Sequence, residues 1–163
     1  MDDSGPTASI IFVILVLIDM FFHGFGAAVE QLNPKDVEKK AREEKDRRSQ
    51  RLLKILEDPT RYVNSMQLVI TLNNVVMGGV YLGIWLSVVK NFLEGFAKRS
   101  LAGIVSVPQV VITVLSAVVT MIFLLYILLT FGVLLPKKIA RRLPQRWAYA
   151  SINIVYVMMK LLI

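Results

Sequence analysis

Three long apolar stretches, residues 8–29, 62–89 and 104–135, alternate with segments that hold almost all of the chain's charge. The first is interrupted by Ser9, Asp19 and His23, whereas the second and third contain no charged residue. Each is longer than the roughly 20 residues an α-helix needs to cross a hydrocarbon core. Membrane-barrel strands would alternate apolar and polar residues over about ten positions, and these runs do not. The pattern predicts an all-α membrane protein with three transmembrane helices.

Between the first two spans, residues 33–61 read as a cytoplasmic helix or helical hairpin. Asn33 is a fitting N-cap with Pro34 at the first helical position, and Asp36 and Glu38 place acid near the positive end of the helix. Asp36/Lys40, Glu38/Arg42, Glu43/Arg47 and Glu44/Arg48 are spaced i,i+4 with the acid first, the order that supports a helix. Leu52, Leu53, Ile55 and Leu56 supply an apolar face, and Asp58-Pro59 ends it. After the third span, residues 137–163 predict an amphipathic juxtamembrane helix. One face holds Ile139, Leu143, Trp147, Ile154 and Met158; Gln145, Tyr149, Asn153, Tyr156 and Lys160 make the polar stripe. A helix carrying Trp and Tyr in this way suits the inner membrane interface, where it would form a belt around the bundle. The apolar sequence running up to Ile163 suggests that a natural chain continues beyond it.

The distribution of charge adds an orientation. Of the 19 Lys and Arg, ten lie in residues 33–61, five in 136–147, three in 90–100 and none in 1–7. Basic residues stay on the cytoplasmic side, so the first two of these segments belong inside, and three crossings put the amino terminus outside. The net charge of +7 is no nucleic-acid signature, because the basic residues flank membrane spans and no aromatic residues alternate with them as stacking platforms. Asp2 and Asp3 at the start, with no small-residue cleavage pattern after the apolar run, argue for a retained first helix rather than a signal peptide. With no cysteine, disulfides and thiolate metal sites are excluded.

The candidate chemistry is polar and lies inside the spans. Asn73-Asn74 stands in the middle of the second apolar run, and a side-chain amide in hydrocarbon needs a polar partner, which can be an ion. The two point about 100° apart on a helix, so at most one faces a given site. Asp19 and His23 share a face of the first span, close to Gly24 and Gly26. Pro136 has no N–H to give the carbonyl of Gly132, which predicts a kink and a freed carbonyl near the inner mouth of the third span. Gly79 and Gly83 form a small-xxx-small pair suited to close helix packing. Oxygen-type groups dominate, a set suited to Mg²⁺, Na⁺ or Ca²⁺ rather than zinc or copper. No nucleophile with an orienting partner, phosphate loop or metalloprotease signature is present, so an enzyme is not expected.

Four runs, in order and at compatible spacing, resemble the transmembrane domain of the CorC/cyclin-M (CNNM) magnesium transport family. They are Leu17-Ile18-Asp19-Met20-Phe21-Phe22-His23-Gly24; the amphipathic 52–58 followed by Pro59 and Arg61-Tyr62; Leu72-Asn73-Asn74-Val75-Val76; and Phe131-Gly132-Val133-Leu134-Leu135-Pro136-Lys137. The resemblance covers nearly the whole chain. It implies a homodimer in the plasma or inner membrane, each subunit with three membrane helices, a cytoplasmic hairpin and a belt helix. It further implies a Mg²⁺ site among the spans that opens toward the cytoplasm, export of Mg²⁺ coupled to Na⁺ entry, and downstream nucleotide-binding modules in a longer natural chain. On this reading the metal ligands come from Asn73, Asn74, Gly24, His23, Gly132 and Asp19. The chain also departs from the family pattern. His23-Gly24-Phe25-Gly26 stands where the family commonly has Ser-Gly-x-Glu, Met77 where it has a further Asn, and Val133 where it has a Glu. Asp19 and Glu30 are the acids left to compensate. The alternative is a non-transporting membrane anchor, dimerisation unit or regulatory module whose ion site has decayed.

Overall fold

The protein is described from a computed structural model over residues 4–100 and 107–162; Asp2, Asp3, the predicted start of the third span at 104–106 and Ile163 lie outside the described residues. The elements are α1 (Ser4–Val29), α2 (Pro34–Arg42), α3 (Arg47–Glu57), α4 (Pro59–Ser100), α5 (Gln109–Ile127), a π-wound segment (Leu128–Leu134), α6 (Leu135–Arg142) and α7 (Pro144–Leu162). Three helical stretches are long and apolar enough to cross a membrane: Thr7–Val29, Pro59–Arg99 and Gln109–Arg142. The protein is therefore an all-α membrane protein, as its hydropathy pattern predicts.

The helix boundaries follow local chemistry. Asn33 caps α2 by accepting the Lys35 N–H at 3.1 Å, with Pro34 opening the helix. Asp46 caps α3: its carboxylate accepts the N–H groups of Arg48 at 3.4 Å and Ser49 at 2.9 Å. The Ser49 hydroxyl donates to the same carboxylate at 2.6 Å. These bonds, that of the hydroxyl foremost, hold the Asp46 carboxyl below the usual carboxylate range. Asp46 lies in the turn between α2 and α3, where Lys45 adopts a left-handed φ of 52°. That turn corrects the predicted charge ladder. Glu43 and Glu44 fall in the turn itself, so their pairs with Arg47 and Arg48 are not helical pairs, and among the described residues the one ion pair found is Glu38–Arg42 at 3.1 Å.

The tail also differs from expectation in two respects. It is two helices, broken at Leu143 (φ −131°, ψ 56°), because the ring of Pro144 disfavours helical backbone in the residue before it. Its predicted apolar face is not the buried one: Leu143 and Ile154 are exposed, whereas Ala148, Ser151, Ile152 and Val155 are covered. The predicted polar stripe instead meets α3. The Tyr149 hydroxyl lies 2.7 Å from the Ser49 hydroxyl, Arg51 donates to the Asn153 side-chain oxygen at 2.6 Å, and Arg51 and Lys54 sit over the Tyr156 ring at 5.0 and 5.7 Å. Since the Ser49 proton goes to Asp46, the Tyr149 hydroxyl is the donor in their shared bond. Polar residues on a helix that packs against a charged hairpin are satisfied there, and the period alone could not say so.

The chain divides into two compact units, residues 1–73 with 130–163, and residues 74–129. In the first, α1 packs on α6 and α7, α2 on α3, and α3 on α7. Its core is built from Phe22, Phe25 and Ala28 of α1, Leu52 and Ile55 of α3, Tyr62 and Met66 of α4, and Ile152 and Val155 of α7. Phe25 and Tyr62 meet edge to face at 5.7 Å. In the second unit Trp85 and Phe123 are 5.6 Å apart, Gln109 donates to Glu94 at 2.8 Å, and the Ser116 and Thr120 hydroxyls donate back to carbonyls four residues earlier. Val75, Val80, Val114, Ile122 and Leu125 of that unit are exposed, which is stable for apolar side chains when lipid or another apolar surface is the surrounding medium.

Candidate functional site

Three elements of the first unit bring polar groups together at membrane depth. Asp19, on α1, is 3% exposed, and Asn73, on α4, is 7% exposed. The Asn73 amide nitrogen donates to Asp19 Oδ1 at 2.8 Å and to the backbone oxygen of Leu15 at 3.0 Å. Both of its N–H groups are thus occupied, which fixes the plane of the amide and leaves its Oδ1 as an acceptor. The Leu15 carbonyl that takes the second bond belongs to the turn preceding Asp19. Asn73 therefore clamps α4 to one face of α1 through a side chain and a backbone group together.

Gly132 supplies the third side. It is buried in the π-wound turn, and a Cβ placed on it would lie 3.5 Å from Asp19 Cβ and 3.8 Å from Asp19 Oδ2. That is ordinary contact distance, so the glycine is not needed for space; it brings main chain close to the carboxylate. A π-wound turn widens the helix and displaces carbonyls from their usual partners, and such turns recur at functional sites. Here it ends two residues before buried Pro136, which has no N–H to return to the preceding turn. The expected local distortion is present, spread over Leu128–Leu134 rather than a sharp bend at Pro136, and the helix resumes through Arg142. Widening the turn lets the chain accommodate the proline without breaking.

The other candidates lie elsewhere. Asn74 is exposed, as its 100° offset from Asn73 requires. His23 is half-buried one turn beyond Asp19 on α1 and lines a cavity with Lys137 of α6. Gly24 is buried beneath Trp147 of α7: a Cβ there would meet the indole at 2.6 Å, closer than real atoms approach. Its role in this structure is to admit a ring rather than to offer an open carbonyl. Sequence reasoning missed the Leu15 carbonyl, since any apolar residue serves, and the indole over Gly24, since nothing in the tail announces which helix it meets.

Chemically, the cluster is one carboxylate, one amide oxygen and irregular main chain. Among the described residues no three His, Cys, Asp or Glu side chains group together, so the set is oxygen-rich and low in charge. A hard cation with water still attached is the ligand such a set suits. A carboxylate surrounded by apolar helices also requires either a proton or a cation as partner.

A comparison with protein families matches residues 10–163 to the cyclin M transmembrane N-terminal domain. Comparisons with curated proteins and with solved structures found no match. The matched span runs from the first membrane helix to the end of the tail and includes Asp19, Asn73 and Gly132, the three residues that converge in the structure. The chain belongs to the cyclin M transmembrane domain family, a transporter-type family associated with Mg²⁺.

Proposed function

We propose that the protein carries Mg²⁺ across the cell membrane by export coupled to Na⁺ entry, with the amino terminus outside and the α2–α3 hairpin, α6 and α7 on the cytoplasmic side. One observation carries the reading: a buried carboxylate, Asp19, held by the Asn73 amide against irregular backbone at Gly132 in the middle of apolar helices. In the proposed site Asp19 supplies the charge that offsets loss of water from the ion, and Asn73 Oδ1 and main-chain oxygens near Gly132 complete the set. His23 stands one turn along the same face as a weaker ligand, Gly24 serves packing against Trp147, and Asn74, which is exposed, is outside the set. The orientation rests on the basic residues of α2, α3 and α6.

The test is Mg²⁺ flux in proteoliposomes, followed with a trapped Mg²⁺-sensitive dye under an imposed Na⁺ gradient. Asp19→Asn keeps the shape and removes the charge, and flux should fall at least about tenfold, the change expected from ~1.4 kcal/mol. Asn73→Ala should give a similar loss, and Asn74→Ala little. Flux equal to that of empty liposomes in the wild-type chain would end the transport reading.

A second reading is a non-transporting anchor or regulator. It is favoured by the absence, among the described residues, of any group of three His, Cys, Asp or Glu side chains and by the two hydrogen bonds that already occupy the Asn73 amide. It predicts that Asp19→Asn changes stability alone.

A further inference from the structure

A cavity of about 490 Å³ opens in the first unit, within the ~300–1,000 Å³ range of small-molecule sites. Its walls are mostly apolar, from Phe22 of α1, Leu32, Ile55 and Leu56 around the hairpin, and Met66 of α4. Asp19 and Asn73 are not among its lining residues; His23, one turn beyond Asp19 on α1, is the one residue it shares with the proposed ion site. A dehydrating cation gains nothing from such walls, whereas hydrocarbon does. One polar group points the other way. Tyr62 is 7% exposed, lines the cavity, and its hydroxyl has no hydrogen-bond partner. A buried hydroxyl without a partner is destabilising, so a ligand oxygen placed there relieves a penalty. A Cβ placed on Gly26 would stand 3.6 Å from the Tyr62 oxygen, an ordinary contact distance. A side chain longer than a methyl group at Gly26 would reach the hydroxyl.

The cavity's position identifies the occupant. Tyr62 is the fourth residue of α4, where the charged hairpin gives way to the apolar run, the depth at which Tyr hydroxyls meet lipid ester groups. Glu30 and Lys137 also line the cavity, a carboxylate and an ammonium together. We infer that this cavity binds a zwitterionic glycerophospholipid: one acyl chain fills the apolar space, an ester carbonyl accepts the Tyr62 hydroxyl, and the phosphate and amine meet Lys137 and Glu30. The lipid wedges between α1, the hairpin and the start of α4, and stabilises the hairpin against the bilayer.

The full chain is reconstituted in nanodiscs that contain a trace of phosphatidylethanolamine with a diazirine in its acyl chain. After irradiation, labelled residues are mapped by mass spectrometry. Label should concentrate on Met66, Leu56 and Phe22 above the level at exposed Ile122. Tyr62→Phe keeps the ring packing on Phe25 and should lower that label about fivefold, the effect of one hydrogen bond. Gly26→Leu fills the space and should abolish it while Ile122 labelling is unchanged. Label no denser at Met66 than at Ile122, or label unmoved by both substitutions, overturns the site. Equal labelling by a phosphatidylglycerol probe overturns the assignment of a head group carrying both charges.

Discussion

Asn73 and Gly24 show how single residues are constrained here by what stands opposite them. Asn73 satisfies its own N–H groups and one oxygen of Asp19 at once, so its loss leaves a buried carboxylate without a donor. Gly24 admits the Trp147 indole against the α1 backbone, and a methyl group at 2.6 Å from the ring cannot be accommodated without movement. Gly24→Ala should lower stability by about 1–3 kcal/mol, the usual range for overpacking. Thermal unfolding in detergent checks this, and combining it with Trp147→Leu should give a loss smaller than the sum, because the clash disappears with the ring. Asp46 offers a pH-dependent case outside the spans. Its folded-state carboxyl titrates below its ordinary value of 3.8, so its contribution is full above that pH and is lost as pH falls through the folded value. Asp46→Ala should weaken the α3 start by about 0.5–2 kcal/mol near neutrality, and its deficit relative to wild type should shrink toward pH 3. Amide exchange at Arg48 and Ser49, the two capped N–H groups, reads this directly.

At the scale of elements, the hairpin is held by one apolar row and one polar seam. Leu52 and Ile55 are almost wholly buried, while Ser49, Arg51 and Lys54 on the neighbouring strip of α3 meet Tyr149, Asn153 and Tyr156 of α7. Exposed ion pairs such as Glu38–Arg42 add only about 0.3–0.5 kcal/mol, so burial decides the docking. Leu52→Ala should therefore destabilise the hairpin by about 2–5 kcal/mol, whereas Glu38→Gln should be nearly silent. Hydrogen exchange across α2 and α3 distinguishes the two, and faster exchange in the Glu38 variant than in the Leu52 variant would contradict this account. The π-wound turn is the other element with a consequence. It lets a proline sit inside one long helical stretch while turning main chain toward Asp19.

For the molecule as a whole, the second unit presents more apolar surface than it covers, with Val75, Val114, Ile122 and Leu125 exposed and nothing within 4 Å of a Cβ placed on Gly79 or Gly83. Small residues on an open helix face allow backbones to approach, and we propose that the homodimer implied by the family resemblance, if it forms, uses this face. Gly79→Leu should then shift the protein from dimer to monomer in detergent, measured by light scattering, with the fold retained by circular dichroism. A wild-type chain of monomer mass would overturn the dimer, and a dimer mass unchanged by the substitution would overturn this face as its contact. The proposed ion and lipid sites share only His23, and the proposed dimer face shares no residue with either, so the substitutions named for each test them separately.

The three spans, the hairpin and the caps at Asn33 and Asp58-Pro59 are legible in the chain because they depend on local properties: the length of an apolar run and the reach of a side chain to its own backbone. So is the presence of a polar site, since Asp19 and Asn73 are conspicuous where lipid is the solvent. What folding alone decided is direction. A helix apolar on every side carries no stripe to say which face meets a neighbour, so periodicity could not choose Asn73 over Asn74 or Gly24 as the seat of Trp147, and the polar stripe of α7 does not itself name α3 as its partner. Those choices were made by contacts between residues 54 to 123 positions apart, where packing and hydrogen bonding outweigh any preference written into a single turn.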